Sequence, residues 1–488
     1  MIRVGIAEVD ITPAPGLARA GMPWPQKGQG TAWPLMGRVV VFDDGIQQSA
    51  IVALDLLFLN AQTVAEYRQA MTAGTGLRPT DVMITCTHTH WGPHTTAIMD
   101  EDASFDYIDF VRIRLVEAMA KALAARTPAR LTVARIDAPG WAFNRRQVYR
   151  TPHGEQVGTQ GPQWIEDFVR LEGPDDPELQ VLLAEQESTP RPARRSRGGL
   201  CLGEDGKALG GLVNFTCHTT VGPDEPLYSA DYPGPLTEKL SAERGGIFAF
   251  LQGCAGNIWQ VDQFIKPPKT FWGTEYTRKM GEALAGKADE ALAAGRIISE
   301  PRVRVARDVL KIPQRRPTHG QVELAKWFLE KRPDDVDLRD YHYRIYGHEH
   351  TFWRDWAEVD QPQAREWALW QEDWFARGTI GMWEWQRRVG TRELVEDVEV
   401  QVIAVGDVAF VGYPAEYFVE FGLRTKAESP FSSTFVSELA NGWHGYVPTM
   451  EAFAHGGYEA RFGDASRLVP EAGDRMCEAG VRLLRELA

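Results

Sequence analysis

The sequence contains few cysteines and no long apolar runs. It has five cysteines among 488 residues, and no two of them have the Cys-x-x-Cys spacing of zinc ribbons and redox motifs. An odd number of irregularly spaced cysteines does not predict a disulfide framework. No apolar run approaches the ~18 residues of a membrane-spanning helix. These absences exclude a disulfide-stapled secreted module and an integral membrane protein.

Positive charge is scarce as well. Lys and Arg number 53 against 67 Asp and Glu, which gives a net charge of −14, whereas nucleic acids and anionic membranes bind clustered basic faces. The one basic run, residues 191–199, lies among Pro, Ser and Gly and predicts a solvated loop. Glu8 and Asp10 interrupt the N-terminus before an apolar core of signal-peptide length forms. We expect a cytoplasmic protein that binds a small-molecule substrate and no nucleic acid, with the oligomeric state left open.

Apolar β-branched runs alternate with helical periodicity along the chain. Two hairpins are predicted, with turns at Asp44-Gly45 and at Gly406-Asp407. Apolar residues at 3.6-residue spacing predict helices near 62–73, 105–125, 275–294 and 469–487. Alternating strands and helices predict an α/β fold of mixed β-sheets flanked by helices. We expect residues 1–488 to form a single catalytic domain.

Residues 313–392 have a different composition. Eight of the sixteen tryptophans fall within 321–390, and Trp367, Trp370 and Trp374 share one face of a predicted helix. This pattern predicts a helical, aromatic-rich insertion. Its tryptophans either pack on the main body of the domain or form a lid or wall over a substrate pocket.

The stretch "MITCTHTHWGPH", Met83 to His94, places three histidines directly after an apolar run. In an extended chain His88 and His90 point to the same face, so they form either a ligand pair or a ligand and its catalytic neighbour. The alternative is a hydrogen-bonded polar turn. His218 and Glu416 also follow apolar strands, and Glu416 is predicted to open a helix. Catalytic zinc takes three or four N or O ligands and keeps an open position, so the recurrent strand-end placement favours a metal site.

A series of short motifs, taken in order, resembles the neutral (non-lysosomal) ceramidase family. The motifs are "VGIAEVDITPAPG", "CTHTHWGPH", "NFTCHTT", "SADYPG", "FLQGCAGNI", "VGYPAEYFVE" and "NGWHGYVPT". They lie within 1–310 and 395–487, outside the tryptophan-rich segment. The resemblance implies the catalytic fold of that family and a zinc-dependent amide hydrolase, here without the family's immunoglobulin-like C-terminal domain or secretion signal.

The resemblance also implies roles for individual residues. The implied Zn²⁺ ligands are His88, His218, Glu416 and Tyr446. The implied catalytic residues are His90, Arg145 and Tyr458, and Asn144 is implied to lie beside the scissile bond. Trp259 and Asp231 are predicted to bind substrate together with Asn144, and the alternative for Asp231 is an orienting or structural role. Zinc in such a site activates water for attack on an amide or ester carbonyl. The catalytic residues would stabilise the oxyanion or protonate the leaving group.

One position departs from the family pattern. The family carries a serine, treated as catalytic, in the segment that here reads Gly256 to Val261, and Trp259 cannot act as a nucleophile. Catalysis should therefore rely on metal-activated water, and we expect a substrate smaller than long-chain ceramide. Cys254 is either a substitute nucleophile or a small buried residue.

Two other interpretations remain open at the level of sequence. His-x-His at a strand end also begins the metal site of amidohydrolase barrels, which would use a late strand-end Asp in place of Glu416. Loss of the family serine is also compatible with a catalytically inactive, metal-containing binding protein of the same fold.

Overall fold

Two β-sheets pack face to face, and helices cover their outer faces. The computed structural model describes residues 1–21, 26–97, 103–151, 154–159, 168–187, 206–262, 271–331, 361–389 and 394–488. The basic run at 191–199, Cys201 and the side chain of Trp367 lie outside the described residues.

The strands and helices follow one another as listed here. The strands are β1 (Arg3–Asp10), β2 (Gly30–Trp33), β3 (Met36–Asp43), β4 (Gln48–Leu54), β5 (Val82–Cys86), β6 (Thr127–Asp137), β7 (Phe143–Asn144), β8 (Arg146–Thr151), β9 (Gly154–Thr159), β10 (Phe168–Leu171), β11 (Glu178–Gln186), β12 (Ala208–Phe215), β13 (Leu227–Ser229), β14 (Ile247–Gln252), β15 (Ile258–Trp259), β16 (Arg296–Ile297), β17 (Val303–Pro313), β18 (Val395–Val405), β19 (Val408–Gly412), β20 (Glu416–Tyr417), β21 (Ser433–Ser437) and β22 (Tyr446–Val447). The helices are α1 (Ala61–Thr72), α2 (Phe105–Ala124), α3 (Pro233–Arg244), α4 (Thr274–Ala293), α5 (His319–Leu329), α6 (Gln361–Val389), α7 (Val419–Glu428), α8 (Met450–His455) and α9 (Ala472–Leu487).

The larger sheet has the strand order β14-β12-β11-β6-β1-β3-β4-β5, with β16 beside β6, and the smaller has the order β17-β18-β19-β21. Both predicted hairpins are present, as β3–β4 and β18–β19. At the first turn the Asp44 carboxylate accepts the backbone N–H of Ile46 and of Gln47, and Gly45 takes a φ of 85° that disfavours other residues. The mixed α/β class predicted from the sequence is confirmed. The described strands form open sheets, so the amidohydrolase-barrel interpretation is wrong.

The interface between the sheets is apolar. Phe42 of the larger sheet faces Phe410 of the smaller one at a ring-centroid distance of 6.2 Å, and Phe410 lies 4.9 Å from Phe435. Strands in such an interface are buried on both faces, which explains their continuous apolar runs. Helices α1 to α4 cover the outer face of the larger sheet, and α7 and α9 cover that of the smaller one.

Along the chain, helices α5 and α6 lie between β17 and β18. These two strands are neighbours in the smaller sheet and pair along the whole length of β17. The two helices pack on each other through Ala325, Phe328 and Ala376. Trp374 and Phe375 of α6 are buried in the main apolar cluster beside the larger sheet. The aromatic face of α6 therefore contacts the body of the domain.

Four of the five cysteines lie among the described residues. Cys86, Cys217, Cys254 and Cys477 are free and buried. Among the described residues, no helix combines the length and the apolar character that crossing a bilayer requires.

We expect Phe410→Ala to lower the free energy of unfolding by about 3–5 kcal/mol, because it leaves a cavity between the two sheets. Phe410 is 1% exposed, and chemical denaturation measures the change. The control Ile113→Ala removes a 55% exposed side chain and should change stability by about 0.5 kcal/mol or less. Equal effects of the two substitutions would contradict the sheet-on-sheet core.

Candidate metal centre

The first two histidines lie in a turn that follows β5. The backbone N–H of Thr87 donates to Leu54 O at 2.8 Å, and that of His88 donates to Leu56 O at 3.0 Å. These bonds hold His88 at a φ of 67°, a left-handed conformation uncommon outside glycine. The sequence analysis predicted that His88 and His90 point to the same side because the chain is extended there. That reason was wrong, since the backbone turns at His88. The turn nevertheless brings the rings of His88 and His90 to 4.9 Å.

The His218 turn is organised by a buried carboxylate. Asp231 accepts the backbone N–H of Val221 at 2.9 Å and of Gly222 at 3.0 Å, and also that of Tyr232. Burial raises the pKa of Asp231 to about 6, although these hydrogen bonds favour the ionised form. Asp231, predicted from the sequence either to bind substrate or to have an orienting or structural role, holds the turn that follows His218.

Three imidazole nitrogens converge at these turns. His88 Nε2 lies 2.9 Å from His218 Nε2, and His90 Nε2 lies 3.2 Å from the same atom. His94, the third histidine of the motif, lies outside this group and places its Nε2 3.0 Å from Arg19 O. His88, His90 and His218 form a group that could hold a metal ion.

The opposite nitrogen of each ring faces the backbone. The three Nδ1 atoms lie 2.9–3.2 Å from carbonyl oxygens, which belong to Leu57, Gly21 and Ala255. A carbonyl only accepts, so each Nδ1 carries a proton, and a neutral ring then presents an Nε2 lone pair. Gly21 allows the close approach, because a Cβ at this position would lie 2.5 Å from His90 Nδ1. Three lone pairs that face one another repel unless a cation lies among them.

Electrostatics keep two of these rings neutral. Burial, with repulsion from His88, lowers the pKa of His90 to about 3. Burial, with His88 and Arg145, places the pKa of His218 well below its ordinary value. His88 and His218 are each 1% exposed, whereas His90 is partly exposed. The open side of the group is therefore the side of His90.

Glu416 adds a carboxylate to the group. The sequence predicted that Glu416 opens a helix, and this was wrong: Glu416 lies in β20, paired in parallel with Tyr446 of β22, and α7 begins at Val419. Here tertiary pairing overrides the helical pattern, since Glu416 N donates to Gly445 O at 3.0 Å. Glu416 Oε2 lies 3.4 Å from His88 Nε2, and Oε1 accepts a 2.9 Å hydrogen bond from Trp443 Nε1.

Glu416 is held as a carboxylate. Burial opposes its ionisation, but His88 and the hydrogen bonds from Tyr446 and Trp443 outweigh burial and lower its pKa. In a tetrahedral zinc site with Zn–N distances of about 2.0 Å, neighbouring donor atoms lie about 3.3 Å apart. The donor separations of 2.9–3.4 Å and the combination of imidazoles with one carboxylate fit a divalent cation such as zinc.

A second group of polar side chains faces this donor set. The Arg145 guanidinium lies 5.6 Å from the centre of the Tyr446 ring, and the rings of Tyr446 and Tyr458 are 5.7 Å apart. Burial, with the charge of Glu416, raises the pKa of both tyrosines. Burial lowers the pKa of Arg145, but Tyr446 and Glu459 reverse this effect, so its pKa is raised. The group offers one fixed cation and two phenolic donors.

Asn144 and Trp259 lie on the paired strands β7 and β15. The Asn144 amide donates to Pro174 O at 2.9 Å and accepts from Arg146 N at 3.0 Å. Trp259 is 9% exposed, and its indole N–H has no hydrogen-bond partner in the described part of the chain. Its strand neighbour Ile258 accepts the His218 backbone N–H at 3.2 Å. Trp259 therefore lies directly beside the strand contact that holds His218.

Helix α6 packs against the loop that carries Tyr458. The Tyr458 ring lies 6.0 Å from that of Trp374 and 5.5 Å from that of Phe375. Arg461 Nη1 of the same loop donates to Glu372 Oε1 of α6 at 2.8 Å. The aromatic face of α6 thus forms a wall behind Tyr458.

Sequence reasoning missed two residues of the site. Trp443 lies inside the motif "NGWHGYVPT", and its bond to Glu416 follows from the β20–β22 pairing, which the sequence does not reveal. Glu459 follows Tyr458 directly and binds Arg145. An acidic residue beside a predicted site tyrosine was the available signal.

The fold is similar to that of neutral ceramidases. The crystal structure of neutral ceramidase from Pseudomonas aeruginosa matches with a TM-score of 0.67 and 17% sequence identity, covering 100% of this chain and 74% of that chain. A ceramidase complexed with C2 matches with a TM-score of 0.67 and 18% identity, covering 100% of this chain and 75% of that one. No protein-family model and no curated protein sequence matches the chain. At this identity the likeness establishes a neutral-ceramidase-like fold.

We expect Trp443→Phe to weaken zinc binding by about 10- to 100-fold, because it removes the N–H that orients the Glu416 carboxylate. The phenyl ring retains the stack on Phe58, where the ring centroids are 4.2 Å apart. Competition with a chromogenic chelator measures the affinity. The control Trp385→Phe alters an exposed tryptophan of α6 and should leave the affinity unchanged. Unchanged affinity in Trp443→Phe would exclude Glu416 as a tuned ligand.

Proposed function

We propose that the chain is a zinc-dependent hydrolase that cleaves an amide or ester bond with metal-activated water, in a substrate smaller than long-chain ceramide. The observation that supports this most directly is the convergence of His88 Nε2 and His218 Nε2, 2.9 Å apart, beside the Glu416 carboxylate, within a neutral-ceramidase-like fold. We further propose that residues 1–488 form one catalytic domain in which 313–392 is a helical insertion.

In this proposal His88, His218, Glu416 and Tyr446 hold the zinc. The near-complete burial of the two histidines supports their place in the ligand set. His90 lies on the partly exposed side and faces the substrate. When bound, zinc acts as a Lewis acid and lowers the pKa of water at the site.

The remaining polar groups act on the reacting bond. Arg145 remains cationic and stabilises the oxygen of the carbonyl as negative charge develops there. Tyr458 keeps its phenolic proton, since burial raises its pKa, and donates that proton to the oxyanion or to the leaving group. Tyr446 pairs with Glu416 through β20 and β22, and its ring lies 5.6 Å from the Arg145 guanidinium, so it links the donor set to these groups.

A covalent route through a side chain has little support. Trp259 occupies the position of the family serine and offers no nucleophile. Cys254 is 2% exposed, and burial raises the pKa of its thiol well above the ordinary value, so the reactive thiolate is suppressed. Since neither Trp259 nor Cys254 offers a nucleophile, water is the nucleophile in this proposal.

The aromatic residues support a compact substrate. Trp374 and Phe375 close the side of the site behind Tyr458, and the bulky Trp259 lies beside the strand that holds His218. Aromatic walls stack on rings and flat acyl groups, whereas a long alkyl chain needs an extended groove. Trp259 also motivates a second candidate function, an inactive binding protein, which would bind the same substrates without turnover.

We expect the zinc-loaded protein to hydrolyse short N-acyl amines or N-acetyl sugars at least tenfold faster, in kcat/KM, than C16 ceramide. Trp374→Ala should shift this ratio toward C16 ceramide by opening the wall, while Trp385→Ala on the exposed face of α6 should not. Product release measured by mass spectrometry gives the rates. Equal rates for both substrate classes would contradict the compact-substrate proposal, and binding without product would favour the inactive binding protein.

His90→Ala should reduce kcat by about 100-fold or more, since it removes a polar group on the substrate side. Its zinc content should remain within a third of the wild-type value, because the proposed ligands are intact. His319→Ala, on the exposed first turn of α5, should change neither quantity. Loss of zinc in His90→Ala would move His90 into the ligand set.

A further inference from the structure

A buried carboxylate joins two neighbouring arginines at the edge of the site. Glu459 is 0% exposed. Its Oε1 accepts from Arg145 Nε at 2.8 Å, and its Oε2 accepts from Arg146 Nη1 at 2.7 Å. Charge-assisted bonds of this kind are directional as well as strong.

The two arginines depend on Glu459 to different degrees. Arg146 has a second carboxylate, because its Nε and Nη2 donate to Glu172. Arg145 forms an ion pair with Glu459, and the described residues place no other carboxylate within ion-pair distance of it. Removal of the Glu459 charge therefore leaves Arg146 paired and Arg145 buried without a counter-ion.

The bonds of Arg145 fix the plane of its guanidinium. Glu459 holds Nε, and Gly256 O accepts from Nη2 at 2.7 Å. The remaining side of the guanidinium faces Tyr446. Arg145 precedes Glu459 by 314 positions, so this ion pair, together with that of Arg146, connects the β7 side of the site to the loop that carries Tyr458.

We propose that Glu459 is a positioning residue, which aims Arg145 at the reacting carbonyl and sets Tyr458 beside it; this inference rests on the proposed hydrolase function. Glu459 contacts no substrate atom in this role. Its charge matters because an arginine that must act on a developing oxyanion has to be held in one orientation before the reaction begins.

The test compares Glu459→Gln with Glu172→Gln in the full-length, zinc-loaded protein. Both substitutions remove one buried carboxylate charge from Arg146, but only the first removes the partner of Arg145. We expect Glu459→Gln to lower kcat by about 10- to 100-fold with KM within threefold and zinc content unchanged. Glu172→Gln should keep kcat within threefold.

A double-mutant cycle separates positioning from a general loss of structure. If Glu459 acts through Arg145, adding Glu459→Gln to Arg145→Ala should lower kcat by less than threefold beyond Arg145→Ala alone. If Glu459→Gln does not fold, Glu459→Asp retains the charge while withdrawing it from Arg145, and should lower kcat by about tenfold.

The outcomes distinguish this inference from the function on which it rests. Three results, each obtained with an active wild type, would overturn the role of Glu459 and leave the proposed function intact. They are an unchanged kcat in Glu459→Gln or Glu459→Asp, equal losses of kcat in Glu459→Gln and Glu172→Gln, and additive losses in the double-mutant cycle. A zinc-loaded wild type that hydrolyses no amide or ester would overturn the proposed function, and this inference with it.

Discussion

The site depends on one constraint: three imidazoles are oriented with their Nε2 atoms facing one another. Each ring is fixed from behind, because its Nδ1 proton is donated to a backbone carbonyl. Those carbonyls belong to three separate parts of the chain: Leu57 follows β4, Gly21 lies between β1 and β2, and Ala255 follows β14. The arrangement therefore requires these three segments to meet. The left-handed backbone at His88 is a local cost that the surrounding hydrogen bonds offset. An arrangement that is repulsive without a cation and favourable with one is what a preorganised metal site requires.

Charges around this group are arranged in layers. The Glu416 carboxylate lies next to the imidazoles, and Arg145 lies beside the rings of Tyr446 and Tyr458. Arg146, Glu459 and Glu172 form the next layer, where each buried charge has a partner of opposite sign. Buried ion pairs add little stability, because desolvation consumes most of their attraction. The role that we infer for these ion pairs is therefore to hold Arg145 in one orientation, and not to stabilise the fold.

Local patterns in the sequence predicted the hairpins, the long helices and the α/β class, because these features follow from periodicity and turn chemistry over a few residues. The strand-end positions of His88 and His218 were predictable for the same reason. Glu416 was predicted in a helix because "EYFVEFGL" has helical spacing, whereas pairing with a strand thirty residues later decides its conformation. The carbonyls behind the imidazoles, the Trp443 bond and the Arg145–Glu459 pair depend on contacts between distant segments. A single sequence contains no direct signal for such contacts.

The central claim is that His88 and His218, together with Glu416 and Tyr446, bind one zinc ion. Elemental mass spectrometry on protein purified without chelators and supplied with zinc tests it most directly, with His218→Ala measured alongside the wild type. We expect about one zinc per wild-type chain and a loss of most of it in His218→Ala, with both proteins folded by circular dichroism. A wild-type protein that holds no zinc, or a His218→Ala protein that holds as much as the wild type, would contradict the claim.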